Sequence, residues 1–289
     1  MTAEKNTKNN YISFIKMQGI GNDFILLDGR IQDLSSFEER AHEHAVRLCN
    51  RHYGIGADGI VTIHPHHDQR IAHAKMKIWN ADGSIPEMCG NVIRCVGRYL
   101  YDQGLGQTLF IDTDADVKRL EIDPESKWVT VNMGEPLFDP EKIPCTLTGS
   151  LLKQPFSYRN ATLYGTVVSI GNPHLVFQVR SLEDVILEEI GPYFEHHLAF
   201  PKRINVEFMS KENEHKANVR VWERGSGETQ ACGTGACAVA IAGILDKTLQ
   251  SPVDIHFKHG TLRIHWAGLG HPVFMSGPAE YVFTGQVYM

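Results

Sequence analysis

The sequence predicts a mixed α/β (α+β) chain. It reads as two pseudo-symmetric domains, each a mostly antiparallel sheet or barrel around a central helix, with a cleft between them. Three observations carry this. The chain has 289 residues, above the usual size of one domain. Ile-Gly-Asn precedes a strand-like apolar run twice, in QGIGNDFILLD and in VSIGNPHLVFQV. Cys-Gly and a small polar residue open an apolar helical run twice, in EMCGNVIRCVGRYL and in QACGTGACAVAIAG. Asn22 and Asn172 are 150 residues apart, and Cys89 and Cys232 are 143 apart. Two unrelated motifs that recur in one order at nearly one offset mark an internal duplication.

The elements follow in order. In the first half, FIKMQG, FILLDG, GIVTIHP and AKMKIWNADG are apolar or alternating runs that end in turn residues, so they read as strands. SSFEERAHEHAVRLCNRHYG reads as one helix, capped by Ser35 or Ser36, with Glu38 and Glu39 in its first turn and Gly54 at its end. The second half repeats the scheme: GTVVSIG, HLVFQV, INVEFMS and ANVRVWERG as strands, and SLEDVILEEIGPYFEHH as the matching helix. KWVTVNMGEP is a strand that runs into turn residues, which sets the domain boundary near Met133 and Gly134. The tail YVFTGQVYM is a further strand, free to return to either half. The expected domains are therefore residues 1–133 plus about 278–289, carrying Cys89, and residues 134–277, carrying Cys232.

Composition narrows the function. Net charge is −6 with both signs mixed and no basic run, which argues against nucleic acid as a partner. No apolar stretch reaches the roughly 18 residues that span a bilayer. The polar start MTAEKNTKNNYISF lacks the apolar core of a signal peptide, so a soluble, cytoplasmic chain is expected. HPHHDQRIAH, His64 to His73, admits a metal site, but its charged residues and proline between two strands read better as a solvated hairpin loop.

Six cysteines in a chain this long are too sparse for a disulfide framework, and the absence of any C-x-x-C pair argues against a zinc ribbon or a dithiol redox site. Cys49, Cys95 and Cys237 fall in apolar helical runs and read as small buried residues, and Cys145 as a loop or strand residue without a role. Cys89 and Cys232 remain, each at a helix mouth. There the first backbone N–H groups lack intrahelical partners and present partial positive charge. That setting lowers a thiol's pKa and also binds a carboxylate. Gly90 and Gly233 would let an anion approach the backbone closely.

If the halves face each other, the two sulfurs flank one ligand. One thiolate removes an α-proton from one face of a carbon beside a bound carboxylate, and the opposing thiol delivers a proton to the other face. Preorganised N–H donors in a closed site stabilise the carbanion. Nothing resembles a pyridoxal-phosphate lysine site, and GIGADG lacks the spacing of a dinucleotide fingerprint, so no cofactor is expected.

These residues belong to longer strings. GIGNDF, GIGADG, NADGS, CGN, GNPH, RINVEF, ERGSGETQACGTGACA and the Gly270–Pro272 segment together resemble the diaminopimelate epimerase family, in order and spacing, from about Phe14 to the C-terminus. The resemblance implies interconversion of LL- and meso-2,6-diaminopimelate, on the route to lysine and peptidoglycan. It implies Cys89 and Cys232 as the acid/base thiols and no metal. Gly90, Asn91, Gly233 and Thr234 would cradle the reacting carboxylate. Asn22, Asn80, Asn172, Asn205, Glu223 and Arg224 would bind the rest of the substrate, with Arg224 on the distal carboxylate. His174 and Glu223 would set the protonation of the thiols. It also implies a homodimer, with the strand around Phe283 a candidate contact.

Taken singly, Asn22 and Asn172 read better as turn residues, Asn80 is also plausible as a bare turn, His174 reads as a packed histidine, and Glu223 with Arg224 as a surface ion pair. Two departures stand out: Val92 occupies a position where the family commonly has glycine, and Gly59 one where some members carry a glutamine that reaches the substrate. Two competing readings are an epimerase or racemase for a different amino acid, and a redox-sensing binding protein that uses the thiols as a switch.

Overall fold

The computed structural model describes residues 11–85, 90–113 and 115–289. The first half runs β1 (Tyr11–Gly19), β2 (Asn22–Asp28), α1 (Ser35–Glu38), α2 (Ala41–Cys49), β3 (Gly59–His64) and β4 (Ala74–Asn80). It continues through α3 (Gly90–Asp102), β5 (Thr108–Asp112), β6 (Val117–Ile122) and β7 (Val129–Gly134). The second half runs β8 (Gln154–Tyr158), β9 (Ala161–Ser169), β10 (Pro173–Gln178), α4 (Leu187–Glu195), β11 (Asn205–Asn213), β12 (Lys216–Glu223) and β13 (Gly227–Glu228). After it come α5 (Gly233–Leu245), β14 (Val253–Phe257), β15 (Gly260–Trp266), β16 (Val273–Gly277) and β17 (Glu280–Tyr288).

The duplication is written in the strand pairing. From β1 to β7, successive neighbours pair antiparallel, parallel, antiparallel, parallel, antiparallel and antiparallel. The series β9, β10, β11, β12, β14, β15, β16 repeats that order without change. Each parallel step is a crossover that carries helix. α1 and α2 correspond to α4, and α3 to α5. The halves join where β7 pairs antiparallel with β16, and the tail strand β17 lies along β1.

Both central helices are wrapped by their sheets. α5 is apolar on all sides and buried from Gly233 to Gly243, as expected of a helix enclosed by strands. It packs on β9, β10, β11, β12, β14, β15 and β16, whereas α3 packs on β1, β2, β5, β6 and β7. Val92, Ile93 and Val96 of α3 share one buried cluster with Ala236, Val239 and Ile241 of α5.

Two helix expectations are corrected. Residues 35–54 form two short helices, α1 and α2, broken at Glu39 and Arg40, where Arg40 leaves helical geometry at φ −138° and ψ 44°. Each piece buries its own anchor, Phe37 for α1 and Ala45 with Leu48 for α2. Neither Ser35 nor Ser36 caps: Leu34 holds that position, and Asp33 Oδ1 accepts from the Ser35 backbone instead. The helix expected over 181–197 contracts to Leu187–Glu195. Gly54 serves a close approach, since an added Cβ would lie 2.3 Å from the Arg47 carbonyl oxygen.

Candidate active site

Cys232 is the N-cap of α5. Its backbone is extended at φ −124° and ψ 115°, and its Sγ accepts from the Gly235 N–H at 3.3 Å. The Thr234 hydroxyl lies 3.5 Å from the same sulfur. The sulfur is buried, at 4% exposure for the residue. Burial pushes the thiol well above its usual range, and the carboxylates of Glu223 and Glu207 push it the same way, against the smaller effects of Thr234 and the Gly235 N–H. This reverses the expectation of a lowered pKa: the helix mouth acts here, but desolvation and two acidic neighbours outweigh it.

Cys89 lies outside the described residues, and the structure of the first helix mouth is described from Gly90 onward. The two mouths abut. A Cβ added to Gly90 would lie 3.5 Å from Gly233 Cα, and one added to Gly233 would lie 3.3 Å from Gly90 Cα. Glycine at both positions keeps this contact free of side chains, and Met275 closes over the pair, 3.0 Å from either added Cβ. Asn91 and Asn22 both donate their side-chain amides to the carbonyl of Ala231, each at 3.0 Å, so two residues of the first half grip the turn that presents Cys232.

The strands supply the polar floor. His174 is fully buried on β10, with Nδ1 at 2.7 Å from Glu207 Oε1 and Nε2 at 2.9 Å from Asn172 Oδ1. Asn205 donates to the Pro173 carbonyl at 2.9 Å and accepts from the Arg224 backbone N–H at 2.9 Å, which fixes the end of β12 where Glu223 and Arg224 emerge. Glu223 takes a short hydrogen bond from the Thr229 hydroxyl. The residue is half-buried, but its carboxyl is enclosed, and that burial raises its pKa against the opposing hydrogen bonds of Thr229 and Cys232. Thus Asn22, Asn91, Asn172, His174, Asn205, Glu223, Arg224 and Thr234 are held by hydrogen bonds on elements around the Gly90–Gly233 contact. Asn80 differs: its amide donates to Ser84 Oγ at 3.0 Å and closes the NADGS turn.

Both departures find a physical account. Val92 lies inside α3, buried and with negative φ, so a β-branched residue fits without strain. At Gly59 a Cβ would lie 2.7 Å from the Trp79 carbonyl oxygen, so this backbone leaves no room for a longer side chain. In the histidine-rich loop, His66 is buried and bonds the Asp68 backbone, and His73 accepts from the Phe110 N–H at 3.0 Å. These rings tie the hairpin down. Among the described residues no group of three or more His, Cys, Asp and Glu is placed to hold a metal.

The sequence left several residues unread. Glu207 looks like one more outward polar position of an alternating strand, yet it points inward to His174. Arg94 is fully buried in the first turns of α3, where it donates to Gly90 O at 3.0 Å, Asn91 Oδ1 at 3.0 Å and Pro278 O at 3.3 Å. Gly19 and Gly277 leave the room it occupies.

Known proteins match this arrangement along its length. The family model for diaminopimelate epimerase matches residues 14–138 and 166–282. The chain belongs to the diaminopimelate epimerase family. Among diaminopimelate epimerases, that of Desulfovibrio desulfuricans is 44% identical over 293 residues, covering 96% of this chain and 99% of its own. That of Moorella thermoacetica is 43% identical over 283 residues, covering 94% and 98%. A Bacillus anthracis phenazine biosynthesis protein of the PhzF family superposes with a TM-score of 0.67 at 16% identity, over 96% of this chain and 99% of its own. A hydroxyproline epimerase from Agrobacterium vitis also reaches 0.67, at 12% identity, over 96% and 93%. Likeness at those identities establishes the shared two-domain fold. Family membership makes this diaminopimelate epimerase relative an isomerase of the epimerase type. No helix among its described residues is long and apolar enough to cross a membrane.

Proposed function

We propose that the chain interconverts LL- and meso-2,6-diaminopimelate by two-base proton transfer between Cys89 and Cys232, without a cofactor. The observation that carries this is the contact of the two helix mouths at Gly90 and Gly233, each the residue after one of the cysteines. A carboxylate bound there receives N–H donors from both helices, and its α-carbon lies between the sulfurs. The Cys232 thiol is neutral at rest and starts as the proton donor. Cys89 starts as the thiolate base. It takes the α-proton from one face as Cys232 gives its own to the other, so the product is inverted and the thiols have exchanged states. The reverse reaction uses the same groups with roles swapped.

Burial that disfavours a thiolate also disfavours any free charge, so the carbanion depends on the preorganised N–H groups of Gly90, Asn91, Gly233 and Thr234. Arg224 takes the distal carboxylate, Glu223 an ammonium group, and the asparagines the remaining donors and acceptors. Such a site rejects amino acids that lack a second polar head, because its buried groups would be left unpaired. The reaction serves lysine and peptidoglycan precursor synthesis in the cytoplasm. Residues 1–133 with about 278–289 act as one lobe and 134–277 as the other. A homodimer through β17 is supported by Tyr281, Val282 and Phe283, which are about half exposed on that strand at 42%, 53% and 47%.

Proton NMR of LL-diaminopimelate in D₂O with the reduced protein tests the reading. Loss of the α-proton signal with growth of the meso form is expected, and Cys89→Ala or Cys232→Ala should abolish it. Full turnover in either variant would sink the two-base scheme.

A further inference from the structure

Beyond its charge effect on Cys232, Glu207 has no part in the reaction as described, yet it is fully buried. Its strand neighbours in register, Val176 on β10 and Val221 on β12, are valines, so an apolar side chain would fit the pattern. Instead a carboxylate stands there, with Oε1 bonded to His174 and Oε2 buried without a hydrogen-bond partner. Burying a polar atom without a partner is costly, so its presence calls for a purpose. It lies against the first turn of α5: a Cβ on Gly235 would come within 2.9 Å of Oε1.

An ionised Glu207 can only accept. His174 also faces an acceptor on its other side, the Asn172 side-chain oxygen at 2.9 Å. A ring that donates from both nitrogens satisfies both acceptors. With its oxygen engaged by the ring, Asn172 keeps its NH₂ group to offer a ligand.

We propose that Glu207 is a positioning residue of this site: its carboxylate holds His174 as a two-proton donor, and His174 in turn fixes the side-chain amide of Asn172 for the substrate. This rests on the epimerase reading, since Asn172 is placed there as a substrate contact. The titratable groups around the pair are Glu223 from β12 and Cys232 from the start of α5, both of which bring like charge or none to Glu207.

The experiment is nitrogen NMR of the histidine rings in the ligand-free protein, comparing wild type with Glu207→Gln and Glu207→Asp. Wild type should show both ring nitrogens of His174 protonated near neutral pH. Glu207→Gln should convert the ring to a neutral single tautomer and lower kcat/KM on the order of tenfold to a hundredfold, with thermal unfolding little changed. Glu207→Asp, which keeps the charge, should recover part of both. A neutral His174 ring in wild type overturns the proposal, and it does so even if Glu207→Gln fails to fold. A Glu207→Gln protein with an altered ring but full activity also overturns it. The ring signal is read without substrate, so it is independent of the thiol scheme. Failure of that scheme would show separately, as absent α-proton exchange in wild type.

Discussion

Asn91, in the first turn of α3, donates its side-chain amide to the carbonyl of Ala231, one residue before Cys232, at 3.0 Å. A residue of one half thus holds the turn that carries Cys232 in the other. The same side chain accepts from Arg94, so it is satisfied on both ends. Asn91→Ala should cost about 1–3 kcal/mol of stability, because it leaves buried partners short of a hydrogen bond. It should also lower kcat/KM at least as much as that loss implies. Urea unfolding and steady-state kinetics measure the two, and a stable variant with normal turnover would show that the grip is dispensable.

Cys232 is a neutral thiol in the ligand-free protein, held so by burial and then by Glu223 and Glu207. Iodoacetamide should therefore modify it slowly at pH 7.5, as followed by peptide mass mapping. Glu223→Gln removes the carboxylate with the larger effect on this sulfur. The thiolate fraction, and with it the alkylation rate at pH 8, should rise about several-fold. An unchanged rate would mean that burial alone governs this sulfur.

Val92 fills a buried position inside α3. Val92→Gly should lower stability by about 2–4 kcal/mol through lost burial and added backbone freedom. No gain in kcat/KM should accompany it. Faster turnover in the glycine variant would show that the mouth requires a backbone freedom which valine denies.

Asp23 sits between Lys16 at 2.7 Å and Arg51 at 2.8 Å. Burial alone would raise its pKa, but the hydrogen bonds and charges of these two cations win and hold it down to about 2. Its folded value lies below the unfolded value of about 3.9, so its stabilisation is present above that pH and is lost as pH falls through about 2. Asp23→Asn should cost about 1 kcal/mol at pH 7, a modest figure because the site is partly open to solvent. The gap to wild type should close between pH 4 and pH 2, as seen by denaturant titration at each pH. A constant gap would assign the effect to packing.

Much of this was legible in the chain itself. The repeated Ile-Gly-Asn and Cys-Gly strings located the equivalent strands β2 and β10 and the equivalent helices α3 and α5, because turn chemistry and close approach restrict residue choice locally. β14, β15 and β16 went unread. VDIHF and VFMSG are only five residues long, and their pairing, such as β12 with β14, joins segments far apart in sequence. The break at Glu39 and Arg40 was hidden because every residue there suits a helix, and burial of Phe37 decides otherwise. The largest error concerned Cys232. The helix mouth is visible in sequence, but the two carboxylates that oppose it arrive from β11 and β12, 25 and 9 residues upstream. Electrostatic neighbours set by sheet register cannot be counted before the register is known.

The ladder between β7 and β16 has a further meaning. Val131 pairs with Met275, Thr130 with Ser276 and Asn132 with Phe274. Under an offset of 144 residues, close to the 143 between Cys89 and Cys232, Val131 faces its own counterpart and the two flanking pairs exchange by the same twofold relation. Gly90 and Gly233, separated by 143, also touch as counterparts. Both contacts have the self-complementary form of an isologous interface, in which one patch meets its own copy across a twofold axis. The molecule is thus a dimer joined in one chain, and that internal axis runs through the place where the mouths meet. Any group placed on that axis would meet near-equal surroundings from left and right, and only the small inequalities between the halves would tell its two faces apart.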